Sequence, residues 1–153
     1  MSTSEIRLSR VINATPEAVW RVLTDIDHAG DTLTGVTRVE RLAGTGYEVG
    51  TRWRETRRMM GKEATEEMWV AEIEPERRTV VEARSAGTAY RTVFELDGRD
   101  GRTDLTMTFT AGAENPSPLT RLTSLILGGL GKRITTKVMT QDLEDIARRA
   151  EAD

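Results

Sequence analysis

The sequence predicts an α+β fold in which a curved, seven-stranded antiparallel sheet wraps around one long C-terminal helix. Strand-like segments separated by glycine turns fill residues 35–112, and a helical repeat fills the end of the chain. The strands are grouped together rather than alternating with helices, which is typical of α+β proteins. The 153 residues suit one domain, which we assign to residues 1–153.

The N-terminal segment predicts a strand followed by two short helices. Apolar and polar residues alternate over residues 5–13, as in a half-buried strand. Thr15 is the expected N-cap of the first helix, and Pro16 suits its first helical position. The acidic stretch 25–31 is expected to form a loop or the second short helix.

The rest of the chain predicts six more strands and the long helix. Two-residue hairpin turns are expected at Gly61-Lys62 and Ala86-Gly87. From Leu119 to Ala150, apolar residues recur every three or four positions, which predicts one amphipathic helix. The strands are expected near residues 36–42, 51–60, 63–74, 79–85, 88–96 and 102–111.

The composition excludes several classes of site and partner. The chain has no cysteine, which excludes disulfides and thiolate chemistry, and its single histidine, His28, excludes a multi-histidine metal site. We interpret His28, which lies among aspartates, as a solvated residue rather than a metal ligand. A net charge of −3 argues against a nucleic-acid partner. With no apolar leader or membrane span, we expect a cytoplasmic monomer or homodimer that has no integral membrane contact, metal or cofactor.

Two short motifs resemble a known superfamily. Residues 12–25 read INATPEAVWRVLTD, and residues 50–53 read GTRW and lead to Glu74-Pro75 and Arg78. The sequence is similar to the START/polyketide-cyclase-like (SRPBCC) superfamily, which includes the birch-pollen-allergen-like proteins. This resemblance implies the helix-grip fold, with a deep cavity between the sheet and the C-terminal helix. It also implies small hydrophobic ligands such as lipids, polyketides or isoprenoid-like molecules.

The first hairpin decides which polar side chains face that cavity. A turn at Gly61-Lys62 places Arg57 opposite Glu66 and Glu55 opposite Met68, on the more apolar side of the sheet. Glu55 and Arg57 are then candidates for a polar ligand anchor or for acid/base groups in an aldol-type cyclisation. Alternatively, Arg57 forms a salt bridge with Glu66 at the rim of the sheet, which would contribute little.

The other cavity candidates come from the later strands and the helix. Tyr90 is an isolated hydroxyl in an apolar stripe, and is either a ligand anchor or an ordinary core aromatic. The glycines of residues 128–131 do not match a phosphate-binding loop, and we interpret them as a helix kink or a gate near the cavity mouth. The complete set of candidate ligand-binding residues is Trp53, Glu55, Arg57, Met59, Met68, Val70, Val81, Ala83, Tyr90, Thr92, Phe94, Leu105, Met107, Phe109, Ile126, Leu130 and Ile134.

Three functions remain open from the sequence. The first is a non-catalytic carrier or sensor of a hydrophobic small molecule. The second is a polyketide cyclase or aromatase that uses acid/base groups in the cavity. The third is a protein-interaction module of the chaperone-activator or ribosome-associated type. No catalytic triad is recognisable, which favours the first.

Overall fold

The computed structural model describes residues 3–59, 61–85, 88–113 and 129–152, and it has the predicted fold. The chain forms one antiparallel sheet of seven strands in the order β1-β7-β6-β5-β4-β3-β2. The strands are β1 (Thr3–Ile12), β2 (Val36–Ala43), β3 (Arg52–Met59), β4 (Lys62–Glu74), β5 (Arg78–Ser85), β6 (Thr88–Arg99) and β7 (Arg102–Ala113).

The helices lie at the two ends of the chain. Helix α1 (Pro16–Leu23) is followed by a 3-10 turn (Ile26–His28) that runs into the single-turn helix α2 (Ala29–Thr32). The long C-terminal helix α3 is described over Gly129–Ala152, and the predicted helical residues 119–128 lie outside the described residues. Within the described ranges, no helix is both long and apolar enough to cross a bilayer.

The start of α1 is fixed on the sheet. Thr15 is the N-cap as predicted, because its Oγ1 accepts a hydrogen bond from the backbone N–H of Ala18 at 3.2 Å. Thr103 Oγ1 donates to the carbonyl oxygen of Ala14 at 2.8 Å, in a buried position. A Cβ at Gly98 would lie 2.5 Å from Cγ of Pro16, so this close approach of helix and strand requires glycine.

The register of the β3–β4 hairpin differs from the prediction by two residues. Met59 pairs with Lys62, so Glu55 lies opposite Glu66 rather than Met68, and Arg57 lies opposite Ala64 rather than Glu66. Lys62 therefore lies in β4 rather than in the turn, and Gly61 comes directly before this strand. Gly61 has φ +77°, which an L-residue rarely adopts. Because the shift is even, each side chain keeps its predicted face.

The second hairpin has the predicted register. Val81 lies opposite Thr92, and Ala83 lies opposite Tyr90. The turn residues 86 and 87 lie outside the described residues. In this register the inward-facing side chains of β5 lie on the same face of the sheet as those of β6, which pairs in turn with β7.

Register shifts in two pairs of strands accompany the curvature of the sheet. They occur twice between β2 and β3 and once between β4 and β5, and such bulges bend the strand and increase its twist. Two buried clusters fill the concave side. One joins α3 to β1, β6 and β7 around Ile12, Leu105 and Ala147. The other lies around Trp53 and Val70, towards β3 and β4.

Candidate functional site

A cavity of about 380 Å³ lies between the sheet and α3. Its lining includes residues of both buried clusters. The volume is within the usual range for small-molecule sites. The lining is mostly apolar and aromatic, and comprises Val22, Leu23, Asp25, Ile26, Ala29, Thr32, Leu33, Tyr47, Trp53, Glu55, Arg57, Met59, Ala64, Glu66, Met68, Val81, Tyr90, Thr92, Phe94, Met107, Phe109, Gly131, Ile134, Thr135, Val138, Met139, Asp142 and Ile146.

Most of the candidate residues reach this cavity. Val70, Ala83 and Leu105 do not line it, because they are packed in the buried core. Ile126 and the side chain of Leu130 lie outside the described residues. The candidates that line the cavity are Trp53, Glu55, Arg57, Met59, Met68, Val81, Tyr90, Thr92, Phe94, Met107, Phe109 and Ile134.

Six polar residues of the lining are not among the sequence-predicted candidates: Asp25, Thr32, Tyr47, Glu66, Thr135 and Asp142. Asp142 lies on α3, three residues after Met139 and four before Ile146, so it interrupts an apolar stripe. That interruption was a readable signal of a buried charge. Tyr47 comes from the loop between β2 and β3, where no periodic pattern predicts the direction of a side chain.

Arg57 is held between two carboxylates in one wall of the cavity. Its Nε donates to Glu55 Oε2 at 2.8 Å. Its Nη1 and Nη2 donate to Asp142 Oδ1 and Oδ2 at 3.0 and 2.9 Å, which is a bidentate contact. The side chains of Glu55 and Asp142 are 9% and 8% exposed, and that of Arg57 is 19% exposed. The predicted alternative, a rim salt bridge of Arg57 with Glu66, is wrong because the guanidinium of Arg57 pairs with Asp142 and Glu55 instead.

Arg57 and Asp142 keep their charges in this network. Burial opposes the charge on Arg57, but Asp142 and Glu55 outweigh it and raise the pKa of the guanidinium. Burial also raises the pKa of Asp142, while Arg57 acts in the opposite direction. Since both carboxylate oxygens of Asp142 accept hydrogen bonds from Arg57, we assign the pair as ionised.

Glu66 lines the cavity beside this network without joining it. It lies directly opposite Glu55 on the neighbouring strand, and like charges in that position repel. Burial raises the pKa of Glu66, Glu55 raises it further, and Arg57 partly offsets both effects. Among the described residues, no side chain donates a hydrogen bond to its carboxyl group.

Replacement of Glu66 by glutamine should raise stability near neutral pH. A raised folded-state pKa gives stability that is fully present below the unfolded value of 4.5 and is lost as the pH rises through the folded pKa. Glu66→Gln removes this loss, so we expect a gain of about 0.5–1 kcal/mol in the free energy of unfolding near pH 7. Urea unfolding over a pH series measures it. The gain should disappear in acid, and the exposed Glu63→Gln should show none; a gain that is independent of pH would contradict the assignment.

Aromatic side chains form two further parts of the wall. The hydroxyl groups of Tyr47 and Thr79 are hydrogen-bonded at 2.7 Å, and burial raises the pKa of Tyr47 to about 12. Tyr47 also meets Trp20 edge to face, with ring centroids 6.2 Å apart. Tyr90 stacks on Phe109 at 5.7 Å. Burial also raises the pKa of Tyr90, so both tyrosine hydroxyl groups stay protonated at neutral pH and can donate hydrogen bonds.

His28 lies outside the cavity. Its Nδ1 is 2.9 Å from both carboxylate oxygens of Asp25, which itself lines the cavity. The hydrogen bond to Asp25 raises the pKa of His28, and the charges of Asp25, Asp31 and Asp27 act in the same direction. Across the described part of the chain, no group of three or more histidine, aspartate or glutamate side chains is placed to hold a metal ion.

Residues 3–151 match the family described as polyketide cyclase / dehydrase and lipid transport. This match covers nearly all of the chain. No curated protein matches the sequence.

Solved structures with the same fold include both enzymes and proteins without a stated activity. The ZhuI aromatase/cyclase from Streptomyces sp. R1128 is 16% identical with a TM-score of 0.83, over 98% of this chain and 94% of that one. A point mutant of norcoclaurine synthase from Thalictrum flavum, in complex with a transition-state analogue, is 15% identical with a TM-score of 0.74, over 97% and 94%. Ara h 8.0201 is 13% identical with a TM-score of 0.69, over 99% and 97%. At these identities, the likeness shows the helix-grip fold alone.

Proposed function

Because the chain belongs to the polyketide cyclase/dehydrase and lipid transport family, we propose that it binds a small hydrophobic molecule in its internal cavity. The observation that carries the proposal is an apolar cavity of about 380 Å³ with a fixed polar network in one wall. An apolar ligand would gain about 25 cal/mol for each Å² of its surface that it buries. A protein-interaction module would instead be favoured by a filled core together with an exposed apolar patch.

The polar network would orient the ligand. Glu55, Arg57 and Asp142 hold one another in place. Their side chains are therefore already ordered in the folded protein, and binding a ligand would cost little further conformational entropy. The four methionines of the lining add side chains that adapt to irregular shapes. Orientation by fixed polar groups within an adaptable apolar wall is typical of small-molecule sites.

Titration with naphthylmethanol, a neutral bicyclic aromatic alcohol, tests the proposal through its change in fluorescence on binding. We expect saturable binding of one molecule per chain. Val138→Trp, which places an indole in the cavity, should weaken binding by at least about tenfold, which is about 1.4 kcal/mol. The matched control is Lys137→Trp, on the exposed face of the same helix. Equal binding by the wild type and both variants, or no binding at all, would contradict a ligand site in the cavity.

A second candidate function is that of a cyclase, and Glu66 is the observation that favours it. A carboxyl group with a raised pKa can give a proton to a carbonyl oxygen or take one from an adjacent carbon. The test is a diketone that closes to a cyclic enone by intramolecular aldol condensation with loss of water. A cyclase would accelerate ring closure, and Glu66→Gln would lower kcat without changing KM. No acceleration by the wild type would leave binding as the better account.

A further inference from the structure

The charges around the cavity are unequal. The described lining contains four carboxylates, those of Asp25, Glu55, Glu66 and Asp142, and Arg57 is its only basic residue. Such an excess of carboxylates sets up a negative potential in a space partly shielded from water, where charges interact more strongly than in bulk solvent.

The guanidinium of Arg57 already has carboxylate partners within the protein. Three nitrogen atoms of Arg57 donate to Glu55 and Asp142, so its charge is matched by two carboxylates. A ligand carboxylate placed near Arg57 would also lie near Glu55 and Asp142, and would be repelled by both. The network therefore disfavours acidic ligands, although it contains an arginine.

Glu66 is a carboxylate of the lining that has no ion-pair partner among the described residues. The ion pairs of Arg57 go to Glu55 and Asp142, and within the described residues Glu66 receives no hydrogen bond from a side chain. Its carboxyl group lines the cavity, and its backbone lies opposite Glu55. A positively charged donor at this point would supply the missing partner and reduce the repulsion between the two glutamates.

The wall near Glu66 also suits a cation. Tyr90 lies close enough that, after burial, the charge of Glu66 is the next contribution that raises the pKa of its hydroxyl group. The ring of Tyr90 stacks on that of Phe109, and both line the cavity. Aromatic rings attract organic cations through the negative face of the π-system.

We propose that the ligand of this cavity is a hydrophobic organic amine whose protonated nitrogen lies against Glu66. The proposal rests on the proposed function, because it specifies the ligand of the same cavity. It predicts that the cavity binds a hydrophobic cation more tightly than a neutral alcohol or an organic acid of the same shape. Glu66 supplies the ionic contact, and the apolar and aromatic walls bind the body.

Three probes with one aromatic body separate these ligand classes. Naphthylmethylamine, naphthylmethanol and naphthoic acid are, respectively, cationic, neutral and anionic at about pH 8. We expect the amine to bind about tenfold or more tightly than the alcohol, and the acid to bind most weakly. Glu66→Gln should remove the advantage of the amine, so that the amine and the alcohol bind this variant with affinities within about twofold of each other.

Two controls keep the outcome specific. Glu63→Gln makes the same change of charge on an exposed position of β4, and should leave the preference for the amine intact. Val138→Trp should weaken the binding of all three probes. If all three probes bind with equal affinity, if the acid binds most tightly, or if Glu66→Gln keeps the preference for the amine, this proposal is wrong while ligand binding stands. If no probe binds, the proposed function itself is wrong, and this proposal with it.

Discussion

Replacement of Arg57 by methionine should lower the free energy of unfolding by about 3–5 kcal/mol. The change leaves Glu55 and Asp142 buried without a cation and without the three hydrogen bonds that they accept from Arg57. Methionine retains much of the length of the side chain, so lost packing is a minor part of the effect. Urea unfolding, followed by circular dichroism, measures the difference.

The controls for this prediction separate charge from the simple loss of an arginine. Arg58→Met alters the next residue, which is exposed, and should cost no more than about 0.5 kcal/mol. A triple variant with Glu55→Gln, Arg57→Met and Asp142→Asn removes every charge of the network, and should recover most of the stability that Arg57→Met loses. If Arg57→Met unfolds at the wild-type urea concentration, the network does not carry buried charge.

Replacement of Asp145 by alanine should cost about 3 kcal/mol. The side chain of Asp145 is fully buried, and its two oxygens accept hydrogen bonds from Thr34 N at 2.8 Å and Thr34 Oγ1 at 3.1 Å. Gln141 Nε2 adds a third at 3.0 Å. The two bonds from Thr34 tie α3 to the segment before β2. Asp145 therefore anchors α3, the helix that carries Asp142, to this segment.

The matched control is Arg148→Ala. Arg148 approaches Asp145 at 3.4 Å, but its side chain is 70% exposed, so its removal should change stability by less than about 1 kcal/mol. Thermal unfolding of the two variants in parallel measures the contrast. Similar losses in both variants would mean that the surface ion pair, rather than the hydrogen bonds to Thr34, anchors the helix.

The first hairpin shows which features the sequence pattern predicts and which it does not. Alternation of side chains placed Glu55 and Arg57 on the inner face, and the structure agrees. The same pattern did not fix their partners, because any even shift of register keeps the faces and changes the pairs. The observed register is accompanied by a positive φ of 77° at Gly61, which alternation of side chains does not predict.

The sequence by itself determined the fold class, the faces of the strands, the cap of α1 and part of the cavity lining. Local rules govern each of these features: periodicity, helix capping and turn chemistry act over a few residues. Only the tertiary structure decided that Asp142, 85 residues away along the chain, rather than Glu66 binds the guanidinium of Arg57. Such a contact depends on the placement of α3 over the sheet, and no short-range pattern encodes that placement. The tertiary structure also leaves Glu66 without an ion-pair partner in the described cavity wall, and the proposed preference for an amine depends on this.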